Sequence, residues 1–215
     1  MRYRIVPVTH FNQNCLIIWC EITHEAALVD PGGESNKLRA EVDKLNVKIG
    51  KILLTHGHID HVGSAVELKK YYSVPIIGPH KSDQILLDSL IIQCNMLGVD
   101  IPDDTTAVIP DFWLKDGDTV QVGHEFFNVL HCPGHSPGHV VYWNKIQKFI
   151  IMGDVLFKEN IGRTDLPGGN IISLMNSIKN KLFSLDDDIV FLPGHGAQST
   201  IGHERVNNTF CSIIR

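Results

Sequence analysis

The run His56-Gly57-His58-Ile59-Asp60-His61 constrains this chain more than any other feature of its sequence. Four side chains of metal-ligand type stand within six positions. They follow the apolar run Lys51-Ile-Leu-Leu54 and precede a helical pattern that begins near Val62. His56 and His58 are two apart, so an extended backbone points both imidazoles to the same side. Asp60 and His61 come as the chain turns into the helix. One such turn does not easily wrap four ligands around a single tetrahedral ion, but it can serve two neighbouring ions. A plain polar loop would have to collect these residue types far beyond what the composition supplies.

Three further segments carry the same chemistry. In His131-Cys132-Pro133-Gly134-His135-Ser136-Pro137-Gly138-His139, two Pro-Gly turns bracket His135, which suits a loop that delivers one rigid side chain. His131 and His139 sit where strand patterns end and begin, and are read as structural. Cys132, between a strand end and a proline, is left out of the ligand set. Asp154 follows the apolar run 149–152 and Gly153, and His195 stands in Leu192-Pro193-Gly194-His195-Gly196. Both are strand-end positions, where α/β proteins place functional side chains.

The count is five histidines (His56, His58, His61, His135, His195) and two carboxylates (Asp60, Asp154). Seven ligands suit two ions with three exclusive ligands each and one shared carboxylate. Asp154, arriving alone from a separate strand, is the natural bridge. The nitrogen and oxygen donors suit Zn²⁺, Fe²⁺ or Mn²⁺, with no thiolate to insist on zinc. Two such ions about 4 Å apart would acidify a water between them toward a pKa of ~7. Metal-assisted hydrolysis is the chemistry these residues support.

Around these loops, short apolar runs bounded by turn residues predict strands at 3–8, 15–21, 26–29, 51–55, 75–77, 119–122, 125–130, 139–143, 148–152 and 189–192. Helical spacing predicts helices at 36–45, after a cap at Ser35, and at 62–71 and 171–182. Segment 83–97 is apolar enough to be helical, has no clear register, and is expected to be plain packing rather than a lid, substrate wall or dimer patch. Closely spaced strands mixed with helices predict a layered α/β fold with much antiparallel sheet. No linker, repeat or charge block divides the 215 residues, so a single domain over 1–215 is expected.

A net charge of −5 is not the basic footprint of a nucleic-acid binder. No run approaches the ~18 apolar residues of a membrane span. Five scattered cysteines with no CxxC pair, and an N-terminus broken by Pro7, His10, Asn12 and Asn14, predict a cytoplasmic protein.

The run HGHIDH, followed in order by His135, Asp154 and His195, resembles the metallo-β-lactamase superfamily over essentially the whole chain. The resemblance implies an αββα sandwich, two mixed sheets face to face with helices outside and metals at one edge. It assigns His56, His58 and His135 to a first ion, Asp60, His61 and His195 to a second, and Asp154 to both. Gly162-Arg163-Thr164-Asp165-Leu166-Pro167-Gly168-Gly169 resembles the short bacterial glyoxalase II-like branch, which lacks a separate C-terminal glutathione-binding domain. That implies hydrolysis of S-lactoylglutathione, with Asp60 and Asp154 catalytic and Arg163 near the thioester and the glycine carboxylate of glutathione. With the chain ending at Arg215, much of the larger enzymes' grip on glutathione is expected to be missing, and thioester scope to be broader. The rival within the fold is a persulfide dioxygenase, which resembles this chain in its Gly-Arg-Thr-Asp segment and holds one iron through the equivalents of His56, His135 and Asp154. A metallohydrolase for another ester, and a non-catalytic metal-binding module, rank below these.

Overall fold

The computed structural model describes residues 1–100 and 107–214. Strands β1 (Arg2–Val8), β2 (Gln13–Trp19), β3 (Glu25–Val29), β4 (Lys48–Leu53), β5 (Ile76–His80) and β6 (Phe112–Leu114) form one sheet in that order. The first three run antiparallel and the rest are added in parallel. The second sheet begins with β7 (Thr119–Val122), β8 (Glu125–His131), β9 (Val140–Asn144) and β10 (Phe149–Gly153). A hairpin of β11 (Leu156–Phe157) and β12 (Asn160–Ile161) interrupts it before β13 (Val190–Pro193) and β14 (Ser199–Thr200). Its spatial order is β14-β13-β10-β9-β8-β7, antiparallel except where β13 joins β10.

Period-two alternation explains why the sheets stack. In β2, Cys15 and Ile17 face one apolar cluster while Leu16 and Ile18 face another. In β3, Ala26 and Leu28 divide from Ala27 and Val29 in the same way. In β10, Phe149 and Ile151 face inward between the sheets, and Ile150 and Met152 face out under the second helical layer. Strands apolar on both faces must be covered on both faces. On the first sheet the cover is α1 (Ser35–Leu45), α2 (Ile59–Val62), α3 (Ala65–Tyr72), α4 (Gln84–Leu87) and α5 (Leu90–Leu97), through residues such as Leu38, Leu68 and Leu90. On the second it is α6 (Ile171–Ser177), the turn after it and α7 (Ile201–Asn207), through Leu174, Ile178 and Ile201. The result is an αββα sandwich.

All ten strands expected from the sequence are present, with ends shifted by at most three residues. The helices differ more. The 62–71 pattern is two helices broken at Gly63-Ser64, where Ser64 N–H bonds the Pro31 carbonyl at 2.9 Å instead of continuing the turn. After α6 the backbone widens, with Phe183 N–H reaching the Ile178 carbonyl five residues back. Ser35 is the first helical residue rather than the cap, and Glu34 takes the cap position with φ 53°. Among the described residues, no helix is long and apolar enough to cross a membrane.

A buried hydroxyl helps join the sheets. Tyr142 on β9 is fully buried and donates its hydroxyl to the Leu54 carbonyl at 2.6 Å, next to Thr55. Tyr142→Phe keeps the packing and removes that bond, so it should lower stability by about 1–2 kcal/mol in urea denaturation. An unchanged midpoint would show that the bond carries no stability.

Candidate metal centre

Parallel pairing sets where the site forms. β3 and β4 run in register as far as Val29 and Leu53, so Asp30 and the loop at Thr55 leave the sheet at the same edge. β10 and β13 are likewise parallel, pairing Gly153 with Pro193, so Asp154 and His195 leave the second sheet together. The two edges are joined by Asn14, whose side-chain amide donates to the Pro193 and Gly196 carbonyls at 3.1 and 3.0 Å.

Asp30 organises the first loop. It holds φ 50°, a left-handed conformation that Asp tolerates better than most residues. Its carboxylate accepts from Thr55 N–H at 2.7 Å and from Thr55 Oγ1 at 2.6 Å, and lies 2.9 Å from His61 Nδ1. Since Thr55 spends its one hydroxyl proton on Asp30, Oγ1 accepts from His56 Nδ1–H at 3.0 Å. One carboxylate therefore orients both imidazoles through Nδ1 and turns Nε2 of each toward the ligand cluster. His135 Nδ1–H donates to the Arg163 carbonyl at 2.8 Å, and His195 Nδ1–H to the Phe11 carbonyl at 3.1 Å.

All seven side chains singled out in the sequence converge here. His58 Nδ1 faces His135 Nε2 at 2.9 Å, and both rings lie edge-on to His56, with centroids 4.8 Å away. His195 Nε2 and His61 Nε2 stand 3.1 and 3.7 Å from Asp60 Oδ2. Asp154 lies between the two groups, with Oδ2 3.6 Å from His135 Nε2 and from His195 Nε2, and Oδ1 3.5 Å from His61 Nε2. The donor atoms of His56, His58 and His135 lie within 4.8 Å of one another, as do those of Asp60, His61 and His195.

Divalent cations fit this arrangement. Nε2 of His56, Nε2 of His61 and Oδ1 of Asp154 are buried with no hydrogen-bond partner. Leaving such atoms unsatisfied costs about 1–3 kcal/mol each, which bound ions would offset. Burial pushes His56 and His135 below the ordinary imidazole range and His58 down to about 3, so all three offer neutral lone pairs. In the other group burial is outweighed: Asp154 and Asp60 hold His61 up, and His61 and His195 hold Asp60 down. Asp154 too stays ionised against its burial, through His61, His135 and His195. A trio of neutral imidazoles and a trio that pairs two imidazoles with a carboxylate thus share Asp154.

Glycine is required beside that carboxylate. At Gly153, φ is 53°, and a Cβ would come within 2.6 Å of the His139 ring and 2.8 Å of Thr55 Oγ1. At Gly194 a Cβ would collide with Asp154 Oδ1.

Four residues acting behind the ligands were not singled out as such. Asp30 carried a signal, a carboxylate at a strand end before Pro31-Gly32-Gly33, the same kind of position as Asp154. Thr55 lay in plain view beside His56. His139 accepts the Asp154 backbone N–H at Nε2, 2.9 Å, with its ring stacked on His56. Asp83 carried no signal. It is fully buried and accepts from Gly57 N–H at 2.9 Å, Ser136 Oγ at 2.7 Å and Gly138 N–H at 2.5 Å, tying the His56–His58 loop to the His135 loop. His131 bonds the Pro137 carbonyl, and Cys132 packs in the apolar core under the second helical layer, where burial pushes its thiol up to about 12. Arg163 forms an exposed two-bond pair with Asp165, at 2.8 and 2.7 Å.

The site opens into a cleft of about 840 Å³ lined by His58, Asp60, His135, Asp154, His195 and Arg163 on its polar side. Segment 83–97 forms another side of it. Only Leu86, Leu87, Leu90 and Cys94 of that segment's apolar residues are buried, so the expectation of plain packing is corrected. The helices need only one face for the core.

A family model described as the metallo-beta-lactamase superfamily matches residues 8–195. The chain is 42% identical over 211 residues, 98% of each chain, to hydroxyacylglutathione hydrolase GloC of Haemophilus influenzae. The crystal structure of BLEG-1 B3 metallo-beta-lactamase superposes with TM-score 0.89 at 33% identity, covering 98% of this chain and 100% of that one. That of TTHA1623 in a di-iron-bound form superposes with TM-score 0.87 at 33% identity, covering 96% and 99%.

Asp83→Asn keeps the shape but turns an amide N–H₂ toward one of three donors. It should cost about 1–3 kcal/mol of stability and weaken metal retention against a chelator. Wild-type values for both would show that Asp83 does not hold the ligand loops together.

Proposed function

This chain belongs to the metallo-beta-lactamase superfamily, and we propose that it is a metal-dependent thioester hydrolase acting on S-lactoylglutathione or a closely related hydroxyacylglutathione. The observation that carries the reading is Asp154, within 3.6 Å of ring nitrogens from both ligand groups at the foot of an open cleft. In this reading His56, His58 and His135 hold one ion, Asp60, His61 and His195 the other, and Asp154 both. Zinc is the proposed metal, with iron its rival because a solved neighbour is di-iron-bound. Held there, two divalent ions would polarise a thioester carbonyl and acidify water at neutral pH.

The chain's own groups do the rest. Asp60, kept ionised by His61 and His195, offers Oδ2 to orient the attacking water or take its proton. Arg163 lines the cleft, and its pair with Asp165 is exposed on both sides, so water screens it and a substrate carboxylate can replace Asp165. Water adds across the C–S bond to give the hydroxy acid and the free thiol, and no bond to the protein is needed. The buried thiols Cys15, Cys20, Cys94 and Cys132, none in a disulfide, support a reducing, cytoplasmic setting.

The test is loss of thioester absorbance when S-D-lactoylglutathione meets metal-replete protein. Turnover should be abolished by His58→Ala and fall by roughly 10²-fold or more in Asp154→Ala. Absence of turnover, near-wild-type rates in Asp154→Ala at full metal loading, or preference for a β-lactam would each overturn the assignment.

A further inference from the structure

The two long walls of the cleft differ in chemistry. From α4 and α5, Ile85, Ile92, Met96 and Leu97 face the cleft and are 69, 61, 59 and 40% exposed. α5 is apolar on more than one face: Leu90 and Cys94 enter the core, while Ile92 and Met96, one turn apart on another face, do not. A surface helix normally carries one apolar stripe, and an exposed apolar patch marks a binding surface.

The two polar residues on this wall are already engaged. Gln93 donates to the Gly57 and Leu86 carbonyls at 3.1 and 2.9 Å and accepts Ile59 N–H at 2.9 Å. Ser89 donates to the Leu86 carbonyl at 3.1 Å. The α4–α5 lining contains no charged residue. The segment after Asp154 lines the cleft with apolar residues too, among them Phe157, Ile161 and Leu166, but it alone adds cations, Lys158 and Arg163, the lysine exposed.

We propose that the cleft takes an acylglutathione whose acyl half is an aliphatic chain lying on Ile85, Ile92 and Met96, longer and less polar than lactoyl. This rests on the thioester reading above. Glutathione is the anionic half and matches the wall that holds Lys158 and Arg163. That leaves the uncharged wall to the other side of the scissile bond. A lactoyl group, with three carbons and a hydroxyl, would leave most of the apolar wall in water. A chain of six to eight carbons would cover it, at roughly threefold to fourfold per methylene buried.

Two measurements test this and separate its failure from that of the thioester reading. With metal-replete protein, kcat/KM should rise from acetyl- through butanoyl- to hexanoyl-glutathione by about threefold per methylene. The slope should flatten in the double variant Ile92→Asp/Met96→Asp, whose exposed positions leave the core untouched and whose metal content should not change. Independently of catalysis, calorimetry should find the unreactive thioether S-hexylglutathione bound at least tenfold tighter than S-methylglutathione, and the double variant should bring the two together. A flat acyl series with active enzyme, or equal binding of the two thioethers, overturns the proposal. So does a dimer that the same double variant dissociates, which would give this wall to a second copy of the chain. Preferential binding of S-hexylglutathione without hydrolysis of any thioester would keep the apolar wall and discard the proposed reaction.

Discussion

The carboxylate of Asp30 is the constraint on which the rest of the site depends. It stands at the end of β3, next to β4, and takes a backbone N–H, a hydroxyl and an imidazole in one buried cluster. Through Thr55 it fixes His56, and directly it fixes His61. These two rings belong to different ligand trios, so one side chain holds both halves in relation to each other. A buried carboxylate is costly unless its oxygens are satisfied, and here each oxygen has a donor. The left-handed backbone at Asp30 is a local cost of aiming the carboxylate back across the strand end.

From that anchor the architecture works outward. Both sheets contain a parallel pair, and in both the carboxyl ends of that pair carry site residues, the usual place for ligands in α/β folds. Asp83 couples the two histidine-bearing loops and is also the residue from which α4, the start of the apolar wall, departs. The wall is therefore built on the same residue that holds the ligand loops, and Gln93 on α5 repeats the tie by bonding Gly57 and Ile59. The cleft wall and the ligand loops share a support.

Much of this is legible in the sequence, for identifiable reasons. Two-sided apolar strands such as 15–18 and 149–152 stand out because burial on both faces leaves almost no polar residue in the run. The ligand types stand out because histidine and aspartate at strand ends next to glycine have few other reasons to cluster. What was missed is what depends on distant contacts. The break at Gly63-Ser64 arises from the Pro31 carbonyl, more than thirty residues away in the chain. Asp83 bonds Gly57 and Gly138, and no local pattern encodes that. Strands of two or three residues, at 112–114, 156–157, 160–161 and 199–200, are too short to show a period. The sequence of 83–97 predicts packing because a mostly apolar helix reads the same whether its second face meets protein or lines a cleft.

In the proposed reading two trios of ligands share Asp154 and hold two ions side by side. Anomalous diffraction from crystals of the metal-replete protein, collected across the metal absorption edge, tests it most directly. Two peaks are predicted, one among His56, His58 and His135 and one among Asp60, His61 and His195, each in contact with Asp154. A single peak at the three histidines, with Asp60 and His195 bonded to each other and to water at full metal loading, would contradict the account.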